Sequence, residues 1–86
     1  MILTYHRNFK KMFKKHPAWI KDKFEERIKL FRKDMFEPIL NNHSLKDEWL
    51  GCKSINITGD VRAIFEDLGE DHFEFVAIGT HSELYS

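Results

Sequence analysis

The chain has 86 residues, of which 42% are hydrophobic and 33% charged, so it is expected to form a single domain over residues 1–86 and not a disordered chain. Its one cysteine, Cys52, excludes an internal disulfide and fits a cytoplasmic protein, and no apolar run suits a membrane span or a signal peptide. The net charge of zero hides two opposed halves, because residues 1–40 carry eleven basic and five acidic side chains (+6) and residues 41–86 carry three basic and nine acidic ones (−6).

The N-terminal segment predicts a short strand followed by a short amphipathic helix. Leu3–Arg7 has the mixed polar and apolar character of a strand. Asn8 suits a helix N-cap, and apolar residues follow it at helical spacing while lysines occupy the other faces. The helix is expected to end near His16, because the residue before Pro17 is pushed out of the helical region.

A second helix is predicted to begin at Pro17, which suits a first helical turn, and to end before Glu37. Apolar residues recur along it every three or four positions and form one stripe: Ile20, Phe24, Ile28, Phe31 and Met35. The two basic helices are therefore expected to form a hairpin.

The second half of the chain changes to a period of two, which predicts strands. Asn41–Glu48 is expected to be a loop. Three strands follow, separated by turns at Thr58–Asp60 and Leu68–Asp71: Cys52–Ile57, Val61–Glu66 and Phe73–Ile78. The predicted fold is α+β, with a short N-terminal strand, a two-helix hairpin and a three-stranded antiparallel meander that carries the helices on one face.

Arg62 begins one predicted strand and His81 follows the end of the next, so both are expected at the same edge of the sheet. These residue types suit cleavage of an RNA phosphodiester without a metal or cofactor. The 2′-hydroxyl attacks phosphorus, an imidazole exchanges protons near neutral pH, and a guanidinium stabilises the phosphorane charge. Lys53, Tyr85 and His43 are candidate supporting groups. The same positions also have structural interpretations, as a surface ion-pair partner, a helix cap or a core anchor.

Four segments in the second half carry a family resemblance: Asn42–Leu45, Trp49–Lys53, Gly59–Phe65 and Ile78–Tyr85. Through them the chain resembles the RelE superfamily of type II toxin–antitoxin toxins, and within it the YafQ-like branch. The helical half is similar in architecture and has little sequence signal. The resemblance implies a RelE-like fold, ribosome-dependent cleavage of mRNA that inhibits translation, and neutralisation by a cognate antitoxin.

The resemblance implies roles for individual residues. His81 stands where the branch has its tail histidine, a catalytic acid or base, and Arg62 where RelE-type toxins have an arginine that contacts the scissile phosphate. The remaining matches are the aspartate of the turn, the loop histidine, the C-terminal aromatic residue and a basic strand residue for substrate binding: Asp60, His43, Tyr85 and Lys53.

Two positions depart from the family pattern. Asn56, at a substrate-binding position, stands where YafQ-like members can carry a histidine, and Val61 stands where many have tryptophan. An asparagine side chain cannot exchange a proton at neutral pH. If that histidine is a general base, another group must replace it here, or cleavage is slow.

Three functions follow as hypotheses, led by an mRNA endonuclease whose basic helices bind ribosomal RNA. The second is a non-nucleolytic protein that acts by protein binding, as ParE-like toxins do on DNA gyrase, or a catalytically weakened homologue held by its antitoxin. Asn56 and Val61 favour it. A DNA-binding helix-turn-helix is disfavoured, because the helices use their apolar stripes for the sheet. An antitoxin is expected to dock on the helical hairpin, and no membrane or small-molecule partner is expected.

Overall fold

The helices and strands follow one another along the chain in an order that the sequence largely predicts. The computed structural model describes residues 1–85. Its elements are β1 (Ile2–Tyr5), α1 (Arg7–Lys14), α2 (Ala18–Lys33), β2 (His43–Ser44), β3 (Lys53–Asn56), β4 (Val61–Gly69), β5 (His72–Thr80) and α3 (His81–Tyr85), with 3₁₀ turns at Pro38–Leu40 and Asp47–Trp49. The predicted α+β class, the N-terminal strand, the two helices and the antiparallel meander are confirmed.

The strands form one five-stranded sheet in the order β1-β5-β4-β3-β2. β1 pairs in parallel with β5, whereas the three other pairs are antiparallel. A parallel pair needs a long crossover connection, and the two helices together with β3 and β4 lie between β1 and β5 in the chain. The first strand therefore makes the sheet mixed, although the meander itself is antiparallel as expected.

Both long helices pack on the same face of the sheet. The buried residues of α1 and α2 are Phe9, Ile20, Phe24, Ile28 and Phe31, which include four of the five residues in the predicted apolar stripe. Phe31 meets Phe65 and Phe75 at ring-centroid distances of 5.1 and 5.6 Å in edge-to-face geometry. These aromatic contacts hold the helical hairpin on one face of the sheet, and the opposite face is not covered by α1 or α2.

A smaller apolar cluster lies on the opposite face of the sheet. Ile64, Ala77 and Leu84 are buried there, and the half-buried Trp49 packs against them. The Trp49 Nε1–H donates to the carbonyl oxygen of Leu84 at 3.0 Å. Trp49 therefore belongs to the packing that holds the C-terminal segment, in agreement with a structural role for this side chain.

Several local boundaries differ from the predictions for identifiable reasons. His6, and not Asn8, caps α1, because its Nδ1 accepts from the Asn8 N–H at 3.0 Å. α2 ends at Lys33, since Asp34 has extended backbone angles, so Met35 lies outside the helix. The predicted loop over Asn41–Glu48 contains the two-residue strand β2, which pairs with β3.

The ends of the long hairpin also differ from the predictions. β4 extends to Gly69 and β5 to Thr80, so only Glu70 and Asp71 remain in the turn between them. The chain after β5 forms the short helix α3, which the periodicity does not predict. No helix among residues 1–85 is both long enough and apolar enough to cross a bilayer.

Candidate active site

One row of paired residues crosses the sheet face that α1 and α2 do not cover. Asn56 on β3 pairs with Arg62 on β4, and Arg62 pairs with Gly79 on β5. Asn56 and Arg62 alternate with Ile55 and Ala63, which are buried in the helix-side core, so their side chains project from the other face. The row ends beside the first residues of α3.

An open cleft of about 510 Å³ lies at this end of the sheet. Its lining comes from the β3–β4 turn, the start of β4, the end of β5 and the start of α3: Gly59, Asp60, Arg62, Thr80, His81 and Ser82. Three of the predicted catalytic residues, Asp60, Arg62 and His81, thus line one cleft. The predicted shared edge for Arg62 and His81 is what the strand pairing produces.

The Arg62 guanidinium is anchored to the neighbouring turn. Its Nη1 donates to the carbonyl oxygens of Thr58 and Gly59, both at 3.0 Å. None of the hydrogen bonds within residues 1–85 uses Nη2 or Nε, so these donors are open to an anion in the cleft. The Arg62 guanidinium is therefore held in place through Nη1, while Nη2 and Nε can donate to a bound anion.

The β3–β4 turn is held by its own threonine. Thr58 Oγ1 accepts from the backbone N–H groups of Asp60 and Val61 at 3.2 and 3.0 Å. This side-chain-to-backbone pattern is typical of tight turns that begin with Ser or Thr. The turn thereby places Asp60, which is exposed, in the lining of the cleft.

A capping box begins α3 and positions His81 as the first helical residue. The Thr80 N–H donates to Glu83 Oε1 at 2.7 Å, and the Glu83 N–H donates to Thr80 Oγ1 at 3.3 Å. The hydrogen bond from Thr80 is the main cause that lowers the pKa of Glu83, and the charges of His16 and Lys15 lower it further. A Cβ on Gly79 would lie 3.0 Å from Glu83 Oε1, so a larger residue here would displace the Glu83 side chain by a few tenths of an ångström.

Within α3, His81 and Tyr85 lie one turn apart and their rings are in contact. The ring centroids are 4.7 Å apart, with 39° between the planes. Between them along the chain, Leu84 is buried and fixes the helix to the sheet. The Tyr85 ring can therefore orient the exposed imidazole of His81 through this contact.

The remaining predicted site residues lie outside the cleft. Asn56 is next to Arg62 in the row, and its buried Oδ1 makes no hydrogen bond within residues 1–85. His43, on the edge strand β2, pairs with Ser54, and its Nδ1 lies 2.7 Å from the carbonyl oxygen of Asn41. Lys53 pairs with Phe65, a residue of the helix-side core, so its side chain projects from the face that the helices cover, opposite to Arg62.

Sequence reasoning missed two features at this end of the molecule. The capping box at Thr80 and Glu83 was legible as a Thr-x-x-Glu pattern, and it explains how His81 is held. The second is a groove beside the Thr58–Asp60 turn that contains Trp19, and only the fold brings its parts together. Val61, the other position that departs from the family resemblance, is buried in the helix-side core.

Comparison with known proteins agrees with this fold. Residues 1–86 match a family described as the bacterial toxin of type II toxin–antitoxin systems, YafQ. The chain belongs to the YafQ family of type II toxins. The predicted YafQ-like membership is confirmed by this match. Comparison with curated protein sequences yields no match.

Solved structures with the same fold as this YafQ-family toxin share about a fifth of its sequence. YafQ from E. coli strain BL21(DE3) is 20% identical with a TM-score of 0.79, over 98% of this chain and 97% of that one. The YoeB/ParE toxin from Agrobacterium tumefaciens is 19% identical with a TM-score of 0.76, over 94% and 99%. A chain of the E. coli DinJ–YafQ complex is 21% identical with a TM-score of 0.76, over 98% and 97%. These likenesses show a shared fold.

The cleft of this toxin is lined by three side chains that can take part in acid–base or electrostatic chemistry. Among residues 1–85, no three His, Cys, Asp or Glu side chains converge as ligands for a metal ion. The residues that line the cleft include a carboxylate (Asp60), an imidazole (His81) and a permanent cation (Arg62). The cleft thus combines the groups that acid–base chemistry on a phosphate ester uses.

Proposed function

We propose that this YafQ-family toxin is an endoribonuclease that cleaves mRNA on the ribosome. The observation that carries the proposal is the meeting of Asp60, Arg62 and His81 in one open cleft. An open cleft suits a chain-like substrate, and a guanidinium in the same cleft as a carboxylate and an imidazole suits a phosphodiester.

The proposed reaction is an attack of the 2′-hydroxyl oxygen on the adjacent phosphorus. The P–O5′ bond breaks, which leaves a 2′,3′-cyclic phosphate on one product and a 5′-hydroxyl on the other. The Asp60 carboxylate takes the proton of the 2′-hydroxyl, and the His81 imidazolium gives a proton to the departing 5′-oxygen. This assignment needs no metal ion, and it supplies a base in a chain that has Asn56 in place of a histidine.

Arg62 and Tyr85 have supporting parts in this mechanism. The open Nη2 and Nε donors of Arg62 stabilise the negative charge that grows on the phosphorane oxygens, while its Nη1 stays bonded to the turn. Tyr85 acts as a positioning residue, because it contacts the ring of His81 and fixes its direction.

The other predicted residues contribute away from the scissile phosphate. Asn56 lies beside Arg62 and offers an amide to the substrate. His43 lies two strands from Arg62 and two residues along β3, which corresponds to about 10 Å across and 7 Å along the sheet. We assign His43 and Lys53 to contacts with RNA outside the bond that is cut.

The proposed partners are the ribosome, its mRNA and a cognate antitoxin. Exposed lysines on α1 supply a basic surface for ribosomal RNA: Lys10, Lys11, Lys14 and Lys15. The likeness to a toxin chain in the DinJ–YafQ complex supports an antitoxin partner. We expect the antitoxin to cover part of the helical hairpin and so to block access to the ribosome.

The test is cleavage of a defined mRNA bound to purified ribosomes, together with growth inhibition on expression. The wild-type toxin should cut the message, and His81→Ala should lower the cleavage rate at least 100-fold and relieve growth inhibition. An uncut message together with gyrase-dependent DNA breakage would assign the toxin to the protein-binding class instead.

A further inference from the structure

A second groove lies beside the cleft, on the other side of the Thr58–Asp60 turn. It has a volume of about 380 Å³, and it is bounded by α2, the Pro38–Leu40 turn and the end of β3. Gly59 lines both the groove and the cleft. The backbone of the turn therefore separates them, so a nucleic acid strand bound in the cleft has a neighbouring groove beside it.

Trp19 gives the groove an aromatic wall that the fold does not use. Its side chain is 64% exposed in the first turn of α2, although tryptophan is the largest apolar side chain. The other tryptophan, Trp49, is half-buried and hydrogen-bonded. An exposed indole face at the edge of a groove is a surface on which any nucleobase can stack.

Two cations of α2 stand one turn apart in the same groove. Lys23 Nζ and Arg27 Nη1 lie 3.6 and 3.7 Å from the two carboxylate oxygens of Glu26. Both contacts are long and the Glu26 side chain is 60% exposed, so the carboxylate holds neither cation tightly. Lys23, which is 36% exposed, can turn to a phosphate, whereas Arg27, which is 14% exposed, supplies its charge from the wall of the groove. No acidic residue belongs to the groove lining, which is complementary to a polyanion.

We propose that this groove binds the nucleotide next to the scissile phosphodiester of the mRNA. The base stacks on Trp19, and its phosphate is bound by Lys23 and Arg27. An apolar peptide segment fits less well, because Ile39 is the only exposed apolar side chain beside Trp19 in a lining that holds two cations. The inference rests on the proposed nuclease function and adds a substrate subsite to it.

The test is the rate of ribosome-bound mRNA cleavage as a function of toxin concentration for variants in and outside the groove. Trp19→Ala should lower kcat/KM about tenfold, and Trp19→Phe, which keeps a stacking ring, should recover most of it. Phe36→Ala removes a similarly exposed aromatic outside the groove and should have no effect. Lys23→Gln with Arg27→Gln should also lower kcat/KM about tenfold, whereas Lys29→Gln should not.

The reference measurements separate this inference from the nuclease proposal. If the wild type cuts the message and Trp19→Ala cuts it within twofold of the same rate, the subsite is wrong and the nuclease proposal stands. If Trp19→Ala weakens binding to ribosomes that carry no mRNA by the same factor, the groove contacts ribosomal RNA and the proposal is overturned. If it weakens antitoxin binding alone, the groove is a protein-binding site. A wild type that cuts no message refutes the nuclease function itself.

Discussion

At one end of the β4–β5 hairpin Arg62 and His81 line an open cleft, whereas at the other end Glu70 and Asp71 close a tight turn. At the cleft end, Arg62 is held by hydrogen bonds from Nη1 that leave its Nη2 and Nε donors free. The turn end is tied down, since the N-terminal amine lies 2.8 Å from the Asp71 carboxylate. The same pair of strands thus positions reactive groups at one end and only stabilises the fold at the other.

Acidic side chains concentrate at the turn end of the β4–β5 hairpin, away from the cleft. Five of the nine acids in the second half lie around the far end of the hairpin: Glu66, Asp67, Glu70, Asp71 and Glu74. Lys15 and His16, which follow α1, lie near enough to Glu83 to lower its pKa, so the basic helix ends on the side of the molecule that carries α3. A chain with zero net charge is therefore dipolar, and its field should turn the cleft end towards RNA.

The largest expected effect is the difference between two single substitutions on β4, one in the cleft and one away from it. Arg62→Ala should lower the rate of mRNA cleavage by at least 100-fold, because it removes the cation that stabilises the phosphorane. Glu66→Ala, on the same strand and exposed, should leave the rate within twofold of the wild type. Single-turnover cleavage on programmed ribosomes measures both, and equal rates for the two variants would remove the distinction between the ends.

A smaller effect is expected from reversing the charge near the cleft. Lys14→Glu with Lys15→Glu should weaken ribosome binding about tenfold at physiological salt and reduce the salt dependence, because RNA phosphates lose two cationic partners. Lys29→Glu with Lys33→Glu makes the same change in net charge elsewhere on the helical hairpin. Binding titrations at several salt concentrations compare the pairs. Salt-insensitive binding of the wild type would exclude a phosphate-binding surface on α1.

The capping box should have a local effect of a few fold. Glu83→Ala removes a cap of about 1 kcal/mol, so α3 should fray and cleavage should fall several-fold as His81 loses its position. The folded pKa of Glu83 is lowered, so the cap is complete above the ordinary value of 4.5 and is lost as the pH falls below it. NMR signals of α3 followed from pH 7 to 3 test this, and an α3 unchanged by the substitution would refute it.

The smallest effect on activity is expected at the far turn, where stability should change instead. Glu70 and Asp71 have φ angles of 53° and 59°, which non-glycine residues adopt at a cost. Glu70→Gly should raise the free energy of unfolding by about 1 kcal/mol without changing the cleavage rate. Thermal or urea unfolding measures the gain, and a loss of stability would mean that the Glu70 side chain stabilises the turn.

Long periodic segments were predictable because their pattern is set by burial on one face. The stripe of α2 and the alternation along β4 and β5 have this property. The two-residue strand β2 was not predictable, because its pairing depends on β3 and not on its own residues. The parallel direction of β1 was missed for the same reason, since it follows from where the helical hairpin returns the chain.

The candidate site divides in a similar way. Arg62 and His81 were predictable as neighbours, because antiparallel pairing brings the start of one strand beside the end of the next. The separation of His43 and Lys53 from the cleft was not predictable, because it depends on strand register and on the face from which each side chain projects. Trp19 joins the groove through the packing of α2 against the sheet, for which the sequence carries no local pattern.

The most direct test of the account is the chemical identity of the ends that the toxin leaves on a ribosome-bound message. Attack by the 2′-hydroxyl, with His81 and Arg62 in place, predicts a cut in the decoding site that leaves a 2′,3′-cyclic phosphate on one fragment and a 5′-hydroxyl on the other. An intact message, or fragments with 5′-phosphate ends, would contradict it.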